Sequence, residues 1–439
     1  MRRTGIWATG LATAALLTAS LLTACSEPEP KAAGGLSKTT SDAVQTCDGK
    51  ALLACARRST IGPYVPDAPT KATGAPIELG MINQENTAAG SYPELSQAVQ
   101  AGVEFINQEL GGVNGRPIHV DLCNTEFSAE GSTSCGQKYV EAKVPAVLGG
   151  IDVFGNAIDT LEQNGIPYIG GIPVSTQSVT DANSFQWSGG TWGATVAFSW
   201  YAAHVLHAKK VSIVYGEFGS ITDSAKVGQQ VLERSGVKVQ LVPYPILATD
   251  ISSALNAAAA TKPDALFVLA ADTGCKAGFD GVSSLGITAT PFYVGACASP
   301  SIVDEAGPAK TNGAIFNVEG PVGQHPPNPD FVLYSAIIEK YGKGLDPVGA
   351  GTVSFRSLMN LFSIMSQLDG AITPAAITAE LKAQTGAPSF SGHDYTCDGE
   401  QFPDLPAMCS PQQILAQMHD GTLKQLGDWI DVGKIAASS

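Results

Sequence analysis

The chain has little charge, and little of it is positive. Of its 439 residues 15% are Asp, Glu, Lys or Arg, with 25 basic against 40 acidic side chains and a formal charge of −15. Soluble domains usually carry about 25% charged residues. A cation-poor, acidic chain excludes nucleic acid as a partner, because phosphates are met by Lys and Arg. Catalytic signatures are missing as well: there is no Gly-x-Ser-x-Gly elbow and no His-Glu-x-x-His zinc helix. The six histidines, His119, His204, His207, His325, His393 and His419, form no metal pattern. His204 and His207 lie three apart on an expected helix and share a face. Two imidazoles without a third ligand read as an ordinary helix surface. No carboxylate pair stands out for acid–base work. These absences point away from an enzyme, and neither cofactor nor metal is expected. After the amino terminus, no apolar run is long and uncharged enough to span a membrane.

What the sequence does have begins at that terminus. Met1-Arg2-Arg3 precedes an uncharged run from Gly5 to Ala24 that ends in small residues, the layout of an export signal. Leu22-Thr23-Ala24-Cys25 resembles the lipobox of bacterial lipoproteins. The resemblance implies removal of residues 1–24, a diacylglycerol thioether on Cys25 and acylation of the new amino terminus. Stable membrane anchoring takes more than one acyl chain. The alternative is a spare thiol in an ordinary signal. Cleavage removes Arg2 and Arg3 but no acid, so the exported chain is more negative still. It remains long enough for two or three domains.

Cys25 is one of nine cysteines, and the other eight fall in close pairs. Eight cysteines allow about 105 pairings. Sequential pairing is expected because each pair can close locally: Cys47–Cys55, Cys123–Cys135, Cys275–Cys297 and Cys397–Cys409. Disulfides suit an oxidising compartment outside the membrane. Residues 25–45 are polar and poor in large apolar side chains, the composition of a flexible tether carrying the lipid. Residues 46–75 hold the first cysteine pair and several prolines, and read as a small disulfide-closed cap.

From Ala75 strands alternate with helices. "PIELGMIN" is a strand, "PELSQAVQAGVEFINQELGG" a helix closed by two glycines, and "PIHVDLCN", "PAVLGG" and "IPYIGG" are further strands separated by helices. A second series follows an aromatic stretch, with strands "KKVSIVYG", "VKVQLVPY", "DALFVLAA", "TPFYVG" and "GAIFNVEG". Such alternation predicts parallel sheets covered on both faces. Helices near 329–341, 351–368 and 375–384 come next. A terminal hairpin is expected to turn at Asp420-Gly421. The fold class is therefore α/β, with two consecutive doubly wound series.

"GVEFINQELGGVNGRPIHVDLCNTE", "VPAVLGGIDVFGNAIDTLEQNGIPYIGG" and "KKVSIVYGEFGS", in that order, resemble the branched-chain-amino-acid-type solute-binding proteins over roughly 75–435. The resemblance implies a type I periplasmic-binding-protein fold: two lobes joined by three crossovers, with the ligand trapped between them. It places lobe 1 at 76–187 and 320–372, and lobe 2 at 188–319 and 373–439. It implies a monomer that hands a solute to an ABC permease, with Cys25 keeping the binder at the extracytoplasmic face of the membrane. A sensor signalling to a membrane partner uses the same fold, so fold alone does not choose between them. A secreted hydrolase is the remaining rival, and would turn its substrate over.

In open α/β sheets ligands sit beyond the carboxyl ends of strands, where helices begin with free backbone N–H groups. That selects the loops carrying Tyr92, Gly150, Asp152, Val153, Phe154, Ser175, Thr176, Glu217, Ser220, Asp272 and Thr273. In the amino-acid binders a serine after the third strand and a threonine after the fourth hold the ligand carboxylate. Val153 and Ser175 stand at those positions here. The family's acid for the ligand ammonium falls near Cys297, and Asp272, Glu217 or Asp152 would have to substitute. With Trp187 and Trp192 added, the set is aromatic and apolar, as small-ligand sites often are. A small, partly apolar solute is expected, such as a carboxylate or an amide. Rival readings stay open: Asp152, Ser175 and Thr176 as helix caps, Trp187 and Trp192 as core or hinge packing, Glu217 and Asp272 as solvated loop acids, and Tyr92 as a surface ring.

Overall fold

The computed structural model describes residues 47, 52–87, 90–324 and 327–438. The export signal, Cys25, the 25–45 tether and His325 lie outside the described residues. Among those described, no helix is long and apolar enough to cross a membrane.

The chain runs α1 (Leu52–Ala56), β1 (Ile77–Asn83), α2 (Pro93–Glu109), β2 (Ile118–Asn124), α3 (Ala129–Ala142), β3 (Val147–Gly149), α4 (Asn156–Gln163), β4 (Tyr168–Ile169), α5 (Thr176–Thr180) and β5 (Ser184–Phe185). These strands make one parallel sheet in the order β2-β1-β3-β4-β5. After α6 (Gly190–His204) come β6 (Lys210–Glu217), α7 (Gly219–Arg234), β7 (Lys238–Pro245), α8 (Ser252–Ala259), β8 (Ala265–Leu269), α9 (Asp272–Ser284), β9 (Thr290–Tyr293), α10 (Pro300–Ala306), α11 (Pro308–Thr311) and β10 (Ile315–Val318). Helices α12 (Pro329–Tyr341), α13 (Gly351–Ser366) and α14 (Pro374–Ala383) precede the hairpin β11 (Ile414–His419) and β12 (Thr422–Gln425), and α15 (Val432–Ala437) closes the chain. The second sheet has the order β12-β11-β10-β9-β8-β6-β7, with β11 antiparallel to both β10 and β12 and the other pairs parallel.

Local chemistry explains the elements. In α2 the residues Leu95, Val99, Phe105 and Ile106 are buried, one apolar stripe at helical spacing. Gly112 then turns the chain at φ +71, and its N–H donates to Ile106 O at 2.9 Å. A side chain there would strike the Arg116 carbonyl. Arg116 itself donates through Nε to Ala75 O at 2.9 Å and so ties the turn to the start of β1. Gly80 leaves room for the Tyr139 ring, whose hydroxyl donates to Met81 O and Asp121 O. All five residues of β8 are buried, the pattern of a strand covered on both faces. Asp420 and Gly421 both adopt positive φ, at 49 and 76, the two-residue turn that matches hairpin twist.

Three passages join the sheets: 186–189, the stretch after β10, and the stretch between α14 and β11. Helices α12 and α13 return to pack on α2. Helix α14 was expected with lobe 2. Instead it rests on α13, and its Ile377 and Leu381 sit in the core of the first sheet. The reason is its short tie to α13, which leaves it on the near side of the third passage. The four disulfides are the sequential ones, with Cα–Cα distances of 5.9, 5.6, 5.3 and 4.4 Å in chain order. The cap packs on α12 through α1, and Thr60 donates its N–H and hydroxyl to Asp330 at 2.7 and 2.6 Å.

Candidate functional site

The carboxyl ends of both sheets open onto one cavity of about 320 Å³. The ends of β3 and β4 contribute Ile151, Val153, Ile172 and Val174. The second sheet and its helices contribute Phe218, Ile221, Ala270 and Val294. The ionisable groups come from specific places: Tyr92 and Glu94 at the start of α2, Asp272 opening α9, and Glu319 and Arg356 at the hinge; Ser91, Thr191, Ser220, Ser299, Ser301, Asn317, Thr352, Ser391 and Thr422 add neutral polar groups.

Arg356 organises the hinge. Its Nε donates to Phe390 O at 3.2 Å and its Nη1 to Trp187 O at 3.0 Å. Its Nη2 donates to Glu319 O and, at 3.1 Å, to Ser391 O. One guanidinium on α13 thus touches all three passages. The Glu319 carboxylate lies 3.7 Å from Nη1. Burial pushes the Glu319 carboxyl up, and the nearby guanidinium opposes that shift.

Other contacts cross the cavity. The Ser220 hydroxyl donates to Val174 O. Phe154 meets Phe218 edge to face at 5.7 Å, and Phe127 lies 5.5 Å from Phe154. Asp272 faces the Tyr92 hydroxyl and the Ser91 N–H. Burial raises the Asp272 carboxyl, while Tyr92 and Lys276 pull it back. Burial also lifts Glu94 to about 7, with Asp272 and Glu85 adding to the rise.

Of the residues selected from the sequence, Tyr92, Val153, Ser220 and Asp272 line this cavity. The others lie elsewhere, each for a visible reason. Asp152 is buried under the β3 loop, accepting from Ser132 Oγ at 2.7 Å, while Ser132 Oγ accepts from Ala157 N at 2.8 Å. Ser175 caps α5, its hydroxyl accepting from Ser178 N, and Thr176 is exposed on that helix. Gly150 lies against Asn83, where a Cβ would meet Oδ1 at 2.4 Å. Phe154 stands in the aromatic trio outside the lining. Trp187 packs edge to face on Tyr395 in the first core, and Trp192 is buried in the second. Glu217 is exposed at the end of β6, and Thr273, half-buried in α9, is outside the lining.

The sequence reading missed Glu94, Glu319 and Arg356. Arg356 had a usable signal: it is the only charge in "GTVSFRSLMNLFSIMS", a helix buried along nearly its whole length. A lone Arg among such residues has to be paired. Among the described residues, no group of three or more His, Cys, Asp or Glu could hold a metal ion.

Comparison with known proteins agrees with this architecture. A family model described as periplasmic binding protein matches residues 76–405. None of the curated proteins compared matches the chain. A leucine binding protein, LivK, from Thermotoga maritima superposes with a TM-score of 0.68 at 17% identity, covering 81% of this chain and 98% of that one. LivJ from Streptococcus pneumoniae, solved with isoleucine, gives 0.67 at 16% identity, covering 81% and 99%. A solute binding protein of an ABC transporter from R. palustris, solved with 4-hydroxybenzoate, gives 0.67 at 17%, covering 81% and 98%. At such identities the likeness shows the fold, which is that of the type I periplasmic binding proteins, and the match over 76–405 shows that this chain belongs to the periplasmic-binding-protein family.

Proposed function

We propose that this protein is an extracytoplasmic solute-binding lipoprotein. It captures a small, partly apolar solute in the cavity and delivers it to an ABC import permease. The observation that carries the reading is the cavity itself: it lies at the carboxyl ends of both sheets, is walled largely by hydrocarbon, and sits beside the three passages that join them. Ligands occupy this place in open α/β sheets. The two lobes of the binder are the two sheets with their helices, and α14 belongs with the first.

Cys25 carries the lipid and residues 25–45 give the binder reach, about 25 Å for a flexible chain of that length. A solute screen by thermal unfolding tests the binding role. A compound that raises the midpoint in a saturable way, and is recovered unchanged, supports it. Turnover of that compound would instead make the protein a hydrolase. Fractionation of cells expressing the full chain tests the anchor, with Cys25→Ala expected in the soluble fraction and the parent chain in the membrane.

A further inference from the structure

Among the described residues, the cavity contains acids and one cation, which is engaged at the hinge. That cation, Arg356, is the only Lys or Arg in the lining among the described residues. A guanidinium has five N–H donors. Four bonds from Arg356 go to backbone carbonyls at the hinge, and the Glu319 carboxylate stands beside the remaining donor. Four of its five donors are thus engaged by backbone, and the charge already faces a carboxylate of the chain. Glu94 and Asp272 are different. They face the cavity from the starts of α2 and α9, one from each sheet's layer, and no Lys or Arg of the lining meets either.

We propose, building on the solute-binding reading, that the cavity selects an apolar solute bearing a positively charged nitrogen and no anionic group. Glu94 and Asp272 hold the nitrogen, and the hydrocarbon of Ile151, Val153, Ile172 and Val174 holds the body. This replaces the carboxylate expected from the sequence. The place where a serine and a threonine would receive a ligand carboxylate is a hydrocarbon wall here. Val153 has no hydroxyl, and the Ser175 hydroxyl is engaged with Ser178 N.

The groups around the two acids agree. Glu85 lies behind Glu94, accepting from Ser96 Oγ at 2.6 Å and Asn83 Nδ2 at 3.0 Å. The Tyr92 hydroxyl faces Asp272 with Glu94 nearby, and Tyr334 lies near Glu94 and Asp346. Lys276 acts on Asp272, but it is half-buried, outside the lining and paired with Glu305. Apart from Lys276, the groups named around the two acids are negative or neutral. Burial holds Glu94 near 7 in the free protein, so a bound cation favours loss of its proton. Affinity for a cation should then rise as pH rises through about 7.

The test uses compounds sharing one apolar body, titrated calorimetrically into the full chain in detergent: 2-phenylethylamine, 2-phenylethanol, 3-phenylpropanoate and phenylalanine. A second set is 3-methylbutylamine, 3-methylbutanol, 4-methylpentanoate and leucine. The amines are expected to bind roughly ten-fold or more tightly than their partners. Glu94→Gln and Asp272→Asn are expected to erase most of that margin while the proteins unfold cooperatively as before. An anion, alcohol or zwitterion that binds as tightly as its amine overturns the proposal and leaves the solute-binding reading intact. If none of the eight binds, a compound released from the purified chain on denaturation decides: a cation supports the proposal, and an anion or neutral molecule overturns it. No binding and no released compound overturns both readings.

Discussion

The Nη1 atom of Arg356 lies 3.7 Å from Oε2 of Glu319, and the same guanidinium bonds the backbone of all three passages. Removing one member of such a buried pair strands the other and leaves carbonyls without donors. Arg356→Met is expected to cost about 3–5 kcal/mol in urea unfolding. Arg356→Lys should recover little of this, because an ammonium cannot reach the same fork of acceptors. A loss under about 1 kcal/mol for Arg356→Met would show that the hinge does not depend on it.

Ser132 joins Asp152 to the first turn of α4 through a hydroxyl that donates at 2.7 Å and accepts at 2.8 Å. Ser132→Ala leaves a buried carboxyl and a buried N–H short of a partner. The expected destabilisation is about 1–3 kcal/mol. The check is an unfolding curve for this variant beside Thr133→Ala, whose hydroxyl is exposed and should matter far less.

The Cys275–Cys297 bridge ties α9 to the turn after β9. Its position beside Asp272 means that it holds one wall of the cavity. Replacing both cysteines with alanine is expected to lower stability by about 3 kcal/mol on the chain-entropy account. Equal unfolding midpoints for the parent and the double variant would show that the bridge contributes nothing to the fold.

Glu94 sets a pH dependence with a definite sign. Its pKa is lifted from 4.5 in the ordinary state to about 7 in the folded chain, chiefly by burial. The folded state therefore binds the proton more tightly than the unfolded one. This contribution to stability is complete below about 4.5 and is lost as pH rises through about 7. Glu94→Gln should flatten the stability profile across that window. An unchanged profile would mean that Glu94 is not the group responsible.

Much of the fold was legible in the sequence because its signals are local. The α2 stripe, the Gly111-Gly112 stop, the β8 run and the Asp420-Gly421 turn each lie within a few residues and each appear where expected. Sequential disulfides were legible for the same reason. The site was less so, because loop position says that a residue is near the strand ends but not which way it points. Ser175 and Asp152 sit at the right strand ends yet turn inward, Ser175 accepting from Ser178 N and Asp152 from Phe154 N and Ser132 Oγ. Helix α14 misled because its assignment depended on where the third passage crosses, a long-range property. Glu94 and Arg356 were missed because they become neighbours of the cavity only when α2 and α13 pack together.

The most direct test of the central claim is native mass spectrometry of the purified full chain, followed by denaturation and identification of whatever is released. The account predicts one small, largely apolar compound per chain, lost when a bulky side chain is placed in the cavity by Val153→Trp. A chain that carries nothing and shows no saturable thermal shift with any solute, or one whose bound compound persists at full occupancy in folded Val153→Trp, would contradict it.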